Sequence, residues 1–551
     1  MIMFFLGDET ITELRPSFQF INVRKIGYVI KNRSFDLQNS VILSIDCGTQ
    51  SLRAILFSQK GKMLERVQIE YEPYFSHQAG WAEQDPELYW TSLVQACQKL
   101  KSSNPELFKA IAGVGVTTQR ASMINVDDDG IPLRPAILWL DQRKSEPVWG
   151  QKGLLGAGLK VFGIKKTVDG IQSQGKCNWM MQNQPEIWKK THKYLQVSGF
   201  LNFRLTNEFV DSAASQIGCI PFNYKTQKWA AKYQLSKKLF PVDDEKLPEL
   251  ILPGELLGKI TSQAALQSGI KKDTPVIACG SDKGCETLGA GVVNSRMASL
   301  SFGTLTTVQT LSEKYIEPIK YLPSYPSCVP GHFNPEVGIF RGFWMITWFK
   351  QEFAHKEVEE AKKLGIAAEE VLNRCLVRTE PGAMGLVVQP LWGPGLDCPD
   401  AKGAMIGFGD VHTKDHVYRA IIEGLGFALY EGMGKIQSRN KIKIEKAVVS
   451  GGASQSDEIC RITADIFNIP MIKVETHDTS GLGAAIIVAK GLGWFSNLDE
   501  AVKNMVREQK IFEPLPDNVK IYKALYSRVY SKMYQILKPL YSQIREITGY
   551  P

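Results

Sequence analysis

The segment Gly280-Ser281-Asp282-Lys283-Gly284 sets one carboxylate in a glycine-bounded turn. An apolar run, Pro275 to Cys279, leads into it, and a small-residue helix is expected to follow. An aspartate with a reference pKa of about 3.9 is ionised at neutral pH and can accept the proton of an attacking hydroxyl. Phosphoryl transfer asks little more than that of a protein, because positioning and charge neutralisation dominate it. Gly280 and Gly284 are expected to leave room for substrate beside Asp282. The same position also suits a helix N-cap, and the two roles are compatible.

Asp46-Cys47-Gly48-Thr49-Gln50-Ser51 offers a second kind of chemistry. A glycine turn brings backbone N–H groups close to a ligand, and with the Thr49 and Ser51 hydroxyls they can cradle phosphate oxygens. Arg53 adds charge, and Asp46 at the strand end can hold Mg²⁺ directly or through water. A plain β-hairpin with a polar turn has the same pattern. Gly303-Thr304 repeats the device: Leu300 to Thr306 can be laid over Ile45 to Ser51. Together the hairpins can grip the phosphates of one nucleotide from opposite sides. Gly451-Gly452-Ala453-Ser454, with Ser456 just beyond, sits between a strand and a helix, where glycines admit a flat group or a phosphate. It matches neither a dinucleotide fingerprint nor a P-loop, so it reads as an adenosine site only in combination with the hairpins.

Groups suited to a sugar cluster in Thr117-Thr118-Gln119-Arg120 and in Trp139-Leu140-Asp141-Gln142-Arg143, with Trp81 to Asp85 as a further contributor. Amide, carboxylate and guanidinium groups bond hydroxyls, and an aromatic face covers the C–H side. Satisfied surface loops or a core tryptophan would carry the same residues. Gln119, Arg120, Trp139, Asp141, Asp282 and Lys283 are the expected substrate contacts.

Elements must position these groups. The 551 residues exceed what one core supports, so about two large domains are expected. Val41 to Asp46, Leu52 to Phe57 and Met63 to Tyr71 read as a three-stranded meander, and a helix is expected from Pro86 to Leu100. Further strands are expected at Ile111 to Val116, Ser122 to Asp127, Ala447 to Ser450 and Met471 to Val474. Residues 150–245 read as mainly helical. Helices are expected at Trp344 to Glu352, Glu357 to Val377, His416 to Met433, Asp457 to Phe467 and from Ser480, with Val519 to Ile547 interrupted at Pro539. The returning hairpin implies a duplicated α/β core: residues 1–40 an extension with β-leaning pieces at Phe18 to Val23 and Ile26 to Ile30, 41–294 a substrate-side domain, 295–551 an adenosine-side domain.

Composition narrows the partners. Hydrophobic residues make up 44% and charged residues 22%, as in a soluble globular enzyme. A net charge of +8 from 65 basic and 57 acidic residues, without a long run of one sign, points away from nucleic acid. Ten scattered cysteines and seven histidines form no zinc spacing and suit reduced, buried thiols. The absence of a 20-residue apolar stretch, with only a short apolar start from Met1 to Leu6, argues against a membrane span or a secretory leader, and a cytoplasmic location is expected. A homodimer is left open.

At these residues the chain resembles the FGGY carbohydrate kinases, the group that includes glycerol kinase, xylulokinase and ribulokinase. The resemblance covers roughly residues 41–545 in the expected order. It implies two actin-like, ribonuclease H-like α/β domains closing on an interdomain cleft, with ATP and Mg²⁺. It implies phosphate binding by Gly48, Thr49, Gln50, Arg53, Gly303 and Thr304, a metal-associated Asp46, Asp282 as catalytic base, and adenosine at Gly451, Gly452 and Ala453. His416 to Glu423 and Thr479 to Ala485 also read like the family's second half. Thr118-Gln119-Arg120 resembles the glycerol kinase pattern, but Ala121 stands where Glu follows there. Pro135 to Arg143 and Gly80 to Pro86 look closer to xylulokinase. Lys283 replaces a common Gln or Asn, and Gly393-Pro394-Gly395 a common Gly-Glu-Arg. The substrate implied is a small sugar or polyol, a ketopentose before glycerol. A non-catalytic actin-like nucleotide-binding protein and a sugar sensor built on a degenerate kinase are the alternatives.

Overall fold

A computed structural model describes residues 40–549 apart from 394–397, 399 and 400. The β-leaning pieces near the N-terminus, and Pro394 and Gly395, lie outside the described residues. The chain builds two six-stranded sheets. The first contains β1 (Val41–Cys47), β2 (Ser51–Ser58), β3 (Met63–Glu70), β4 (Ile111–Thr118), β5 (Leu256–Lys259) and β6 (Pro275–Ile277), in the order β5-β6-β4-β1-β2-β3. The second contains β7 (Met297–Ser301), β8 (Thr306–Thr310), β9 (Glu336–Ile339), β10 (Lys446–Ser450), β11 (Met471–Val474) and β12 (Glu508–Phe512), in the order β9-β8-β7-β10-β11-β12.

Each sheet is an antiparallel three-stranded meander followed by two parallel strands and an antiparallel edge. The repeated Gly-Thr hairpin is therefore the visible part of a repeated sheet. Strand β1 is buried along its whole length because it lies centrally and is covered on both faces. Its C-terminal end pairs Cys47 with Thr118 of β4, and the end of β7 pairs Ser301 with Ser450 of β10. The hairpin turns and the loops after β4 and β10 thus emerge at strand C-termini.

Helix α1 (Pro86–Ser103) starts as its sequence dictates: Pro86 sits in the first turn and Asp85 accepts the Glu87 N–H at 3.0 Å. Helices α2 (Asp282–Gly289), α3 (Trp344–Phe353), α4 (Lys414–Asn440) and α5 (Asp457–Phe467) also match expected segments. The expected helix over 357–377 is two helices, His355–Leu364 and Ala368–Val377, broken at Gly365 with φ +67°. Helix α6 (Thr479–Gly491) follows β11 in the chain but packs on β1 and β4 of the first sheet. Glycines permit its approach to α2: a Cβ at Gly289 would lie 1.9 Å from the Thr479 carbonyl oxygen, and one at Gly483 would lie 1.9 Å from that of Cys285. Helix α7 (Ser531–Thr548) runs through Pro539, contrary to the expected break there. The irregular segment is instead the π turn Tyr526–Tyr530; Pro539 is exposed, so the backbone carbonyl freed by the missing N–H can turn to water.

The 150–245 segment carries six short α-helices, as expected, but also short strands, among them Lys193–Gln196, which joins Met123–Val126 in a small sheet. Among the described residues no helix is long and apolar enough to cross a membrane. The ten cysteines form no disulfide, and eight are buried.

Candidate active site

The first hairpin turn is closed by a hydrogen bond from the Gly48 N–H to the Ser51 carbonyl at 2.9 Å, and Tyr71 donates its hydroxyl to the Gly48 carbonyl at 2.7 Å. Thr49 is wired to the sugar-type residues: it donates to Gln119 Oε1 at 2.9 Å and accepts from Trp139 Nε1 at 2.9 Å. Gln119 is itself buried and also donates to Tyr89, so its amide braces the turn. Gln50 points to solvent, while Ser51 is buried at the start of β2. Arg53 pairs with Asp46 at 2.9 Å and stands 3.7 Å from Asp478, which Arg66 also holds at 2.8 Å.

The loops after β7 and β10 line a cavity of about 440 Å³. Gly303, Thr304, Gly452, Ala453 and Ser456 border it, with Trp344 and Tyr418 among its walls. Gly451 has φ +84°, and a Cβ there would lie 3.0–3.2 Å from the backbone of Phe302, so only glycine fits. A Cβ at Gly452 would meet nothing within 4 Å, which leaves that backbone open to the cavity. Gly451 and Ser454 lie behind the wall, the Ser454 hydroxyl donating to the Gly451 carbonyl at 2.7 Å. Ser456 caps α5 and donates to Asn373 at 2.7 Å.

A second cavity, of about 550 Å³, is lined by Ala121, Trp139, Asp141, Arg143, Lys176 and Cys219 among others. Asp141 does not present a free carboxylate to it. Both its oxygens are engaged, by Arg143 at 2.7 and 2.8 Å and by the Ala82 N–H at 2.7 Å, so its part is to hold Arg143 against the Trp81 ring. Ala121 has φ +57°, an unfavourable conformation for alanine, and the half-buried Lys176 donates to its carbonyl at 2.9 Å.

Asp282 is not in the lining of either cavity; it stands near the charges of Arg120, Lys283 and Asp46. Thr117 Oγ1 bonds the Gly280 carbonyl at 2.9 Å, and Thr118 bridges to Ser281, so the Asp282 turn is stitched to the end of β4. The N-cap of α2 is Ser281 rather than Asp282, which is the first helical residue. Burial is the main cause that pushes the Asp282 carboxyl up to about 6, while the Arg120 and Lys283 charges pull it back and Asp46 adds to the rise. Gly280 and Gly284 do not make room for substrate. A Cβ would lie 2.5 Å from Cys328 Sγ at Gly280 and 3.1 Å from it at Gly284, so those spaces belong to core packing.

Lys283 also departs from the expected substrate contact. Its ammonium donates to Glu286 and to Ser301 Oγ, both at 2.6 Å, and Glu286 accepts from Ser450 Oγ at 2.6 Å. The helix carrying Asp282 is thereby tied to the ends of both β7 and β10.

The sequence matches the N-terminal domain of the FGGY family of carbohydrate kinases over residues 41–289 and its C-terminal domain over 298–492. The chain belongs to the FGGY family of carbohydrate kinases. This FGGY chain is 29% identical over 521 residues to a xylulose kinase of Staphylococcus epidermidis, covering 92% of itself and 99% of that protein. It is 26% identical to a gluconokinase of Bacillus subtilis, with 92% and 98% covered. Its two-domain α/β fold is shared with gluconate kinase from Lactobacillus acidophilus at a TM-score of 0.78 and 22% identity, over 92% of this chain and 99% of that one. It is likewise shared with xylulose kinase from Rhodospirillum rubrum at 0.76 and 23%, over 91% and 100%.

Several site residues of this FGGY kinase carried no signal in the sequence reading. Glu286 was legible only as the i+3 partner of Lys283 on a short helix. Glu336, which pairs with Arg120, and Tyr325, whose ring centroid lies 4.8 Å from that guanidinium, sit in unremarkable loop and edge-strand sequence. Asp478 precedes a stretch with family character but is paired with Arg66, 412 residues away in sequence, which spacing cannot reveal.

Proposed function

We propose that this FGGY kinase transfers the γ-phosphate of ATP to a hydroxyl of a ketopentose of the xylulose type, in the cleft between two actin-like halves. The observation that carries the reading is the half-buried carboxylate of Asp282, set between Arg120 of the first half and a lysine bonded to the second. The sugar lies in the cavity bordered by Ala121 and Trp139, and the adenosine in the cavity bordered by Gly452 and Ala453. Thr49 and Thr304 face the phosphates from the two hairpins.

Asp282 takes the proton of the sugar hydroxyl as its oxygen bonds to the γ-phosphorus. The bond from that phosphorus to the β,γ-bridging oxygen breaks, ADP leaves with the electron pair, and the proton passes from Asp282 to water. A carboxyl pushed up to about 6 is a stronger base than an ordinary aspartate and is still ionised at neutral pH. Arg120 stabilises that ionised form and orients the sugar.

Asp46 suits a Mg²⁺ that arrives with ATP. Its carboxyl is raised by burial, with the Asp478 and Glu286 charges adding to the rise against the pull of Arg53, so a divalent cation would favour its ionised form. Among the described residues no cluster of three or more potential ligands could hold a metal by protein alone. That fits an ion bound by one or two carboxylates plus phosphate oxygens, where it neutralises charge on the transferring group.

A second reading, a sugar-acid acceptor, is favoured by Lys144 and Lys176 lining the substrate-side cavity and by the gluconokinase relatives. A coupled ADP-release assay with D-xylulose, D-ribulose, glycerol and D-gluconate tests both. Xylulose giving the highest kcat/KM supports the first, and gluconate doing so supports the second. ADP release that no acceptor stimulates would refute the kinase reading.

A further inference from the structure

We infer that Glu336 is a substrate-binding residue of the sugar site, holding Arg120 with one carboxylate oxygen and accepting a sugar hydroxyl on the other. The inference rests on the kinase reading above and adds a residue supplied by the opposite half of the chain. Glu336 opens β9, at the edge of the second sheet, while Arg120 follows β4 of the first. Arg120 Nη2 donates to Glu336 Oε1, and the guanidinium lies over the Tyr325 ring. Tyr325 meets Tyr224 edge-on at 5.9 Å, and Tyr224 is hydrogen-bonded to Gly218, which lines the substrate-side cavity. Arg120 directly precedes Ala121 of that lining, so the pair stands beside the cavity without being part of its lining, within range of the charges of Asp282 and Lys283.

The remaining oxygen, Glu336 Oε2, is buried and has no hydrogen-bond partner among the described residues. A buried carboxylate oxygen left unpaired is costly, so a working site supplies a donor. The nearby ammonium of Lys283 is already engaged with Glu286 and Ser301, and Ala121, beside Arg120, offers no polar side chain. A sugar hydroxyl in the neighbouring cavity would supply that donor. With an arginine donor next to a carboxylate acceptor, the pair matches two neighbouring hydroxyls, one accepting and one donating. Because the two residues come from different halves, this pair forms only when the halves are together, which links sugar recognition to closure.

The test is a cycle between enzyme and substrate. Glu336→Gln keeps the shape but turns the free acceptor into a donor. It is expected to raise KM for the sugar about 10- to 100-fold, in line with the loss of a charged hydrogen bond, and to leave KM for ATP unchanged. Wild type and variant are then compared on 1-, 3- and 4-deoxy-D-xylulose, or on 2-, 3- and 4-deoxy-D-gluconate should gluconate be the acceptor. One deoxy analogue is expected to be a poor substrate for the wild type with no further loss in the variant. A loss in the variant that is equal for the parent sugar and every analogue overturns the inference, as does a parallel rise in KM for ATP. Should Glu336→Gln fail to fold, Glu336→Asp, with its oxygen drawn back by one methylene, is carried through the same cycle with the same outcomes. A wild-type enzyme that turns over none of the acceptors overturns the kinase reading and this inference together.

Discussion

Asp282→Asn is expected to give a protein that is more stable and nearly inactive. The fold holds the Asp282 charge at a loss, because burial outweighs the help of Arg120 and Lys283 and lifts the carboxyl from 3.8 to about 6. That rise, at about 1.4 kcal/mol per pH unit, is a penalty of about 3 kcal/mol on the ionised form. The sign follows from linkage. Below pH 3.8 the group is protonated in both folded and unfolded chains and the penalty is absent; it grows as pH rises to about 6 and is constant above. The neutral amide never incurs it. Urea unfolding at pH 7.5 should therefore show the variant more stable by up to about 3 kcal/mol, and the gain should fall below about 1 kcal/mol near pH 4. Calorimetric binding of ATP should be nearly unchanged, while turnover falls by on the order of 10² or more. For the wild type, kcat/KM should decline below about pH 6 as the base protonates. A variant that is less stable than the wild type at pH 7.5, or whose stability difference does not vary with pH, refutes the electrostatic argument. Near-normal turnover removes Asp282 from the base role.

Other perturbations probe the supports of the site. Lys283→Met leaves the buried Glu286 carboxylate without its ammonium and should cost on the order of 3–5 kcal/mol at neutral pH. Glu286 is held below its ordinary value, so this loss should shrink as pH falls through that range, and urea unfolding at pH 7 and pH 4 checks it. Gly483→Ala puts a methyl 1.9 Å from the Cys285 carbonyl oxygen and should lower stability by roughly 2 kcal/mol or more, with a lower Tm in a thermal melt. Gly451→Ala forces a positive φ and a contact at 3.0 Å with the Phe302 backbone, so KM for ATP should rise several-fold while KM for the sugar changes little.

Much of this protein is written locally. Short runs punctuated by glycine turns marked β1, β2, β7 and β10, with β-branched residues reinforcing the pattern in β1 and β10. Asp282 and the glycine-threonine turns stood out because their residue types combine tight backbone with ligand-binding groups. Two helix boundaries escaped: Gly365 ends a helix in the left-handed conformation that the sequence reading passed over, and Pro539 is tolerated because it is exposed to water. The purpose of Gly280 and Gly284 was also hidden, since the sulfur that fills their space belongs to Cys328, more than 40 residues away. Glu336 reaches Arg120 across 216 residues, and Lys283 turns to Ser301 and Glu286 rather than to a sugar. A side chain's type fixes what it can bond, whereas its partner is fixed by which strand ends the sheets bring together. The sequence therefore determined the chemistry available at each position, and only the packing of the two sheets decided which of those groups share a site.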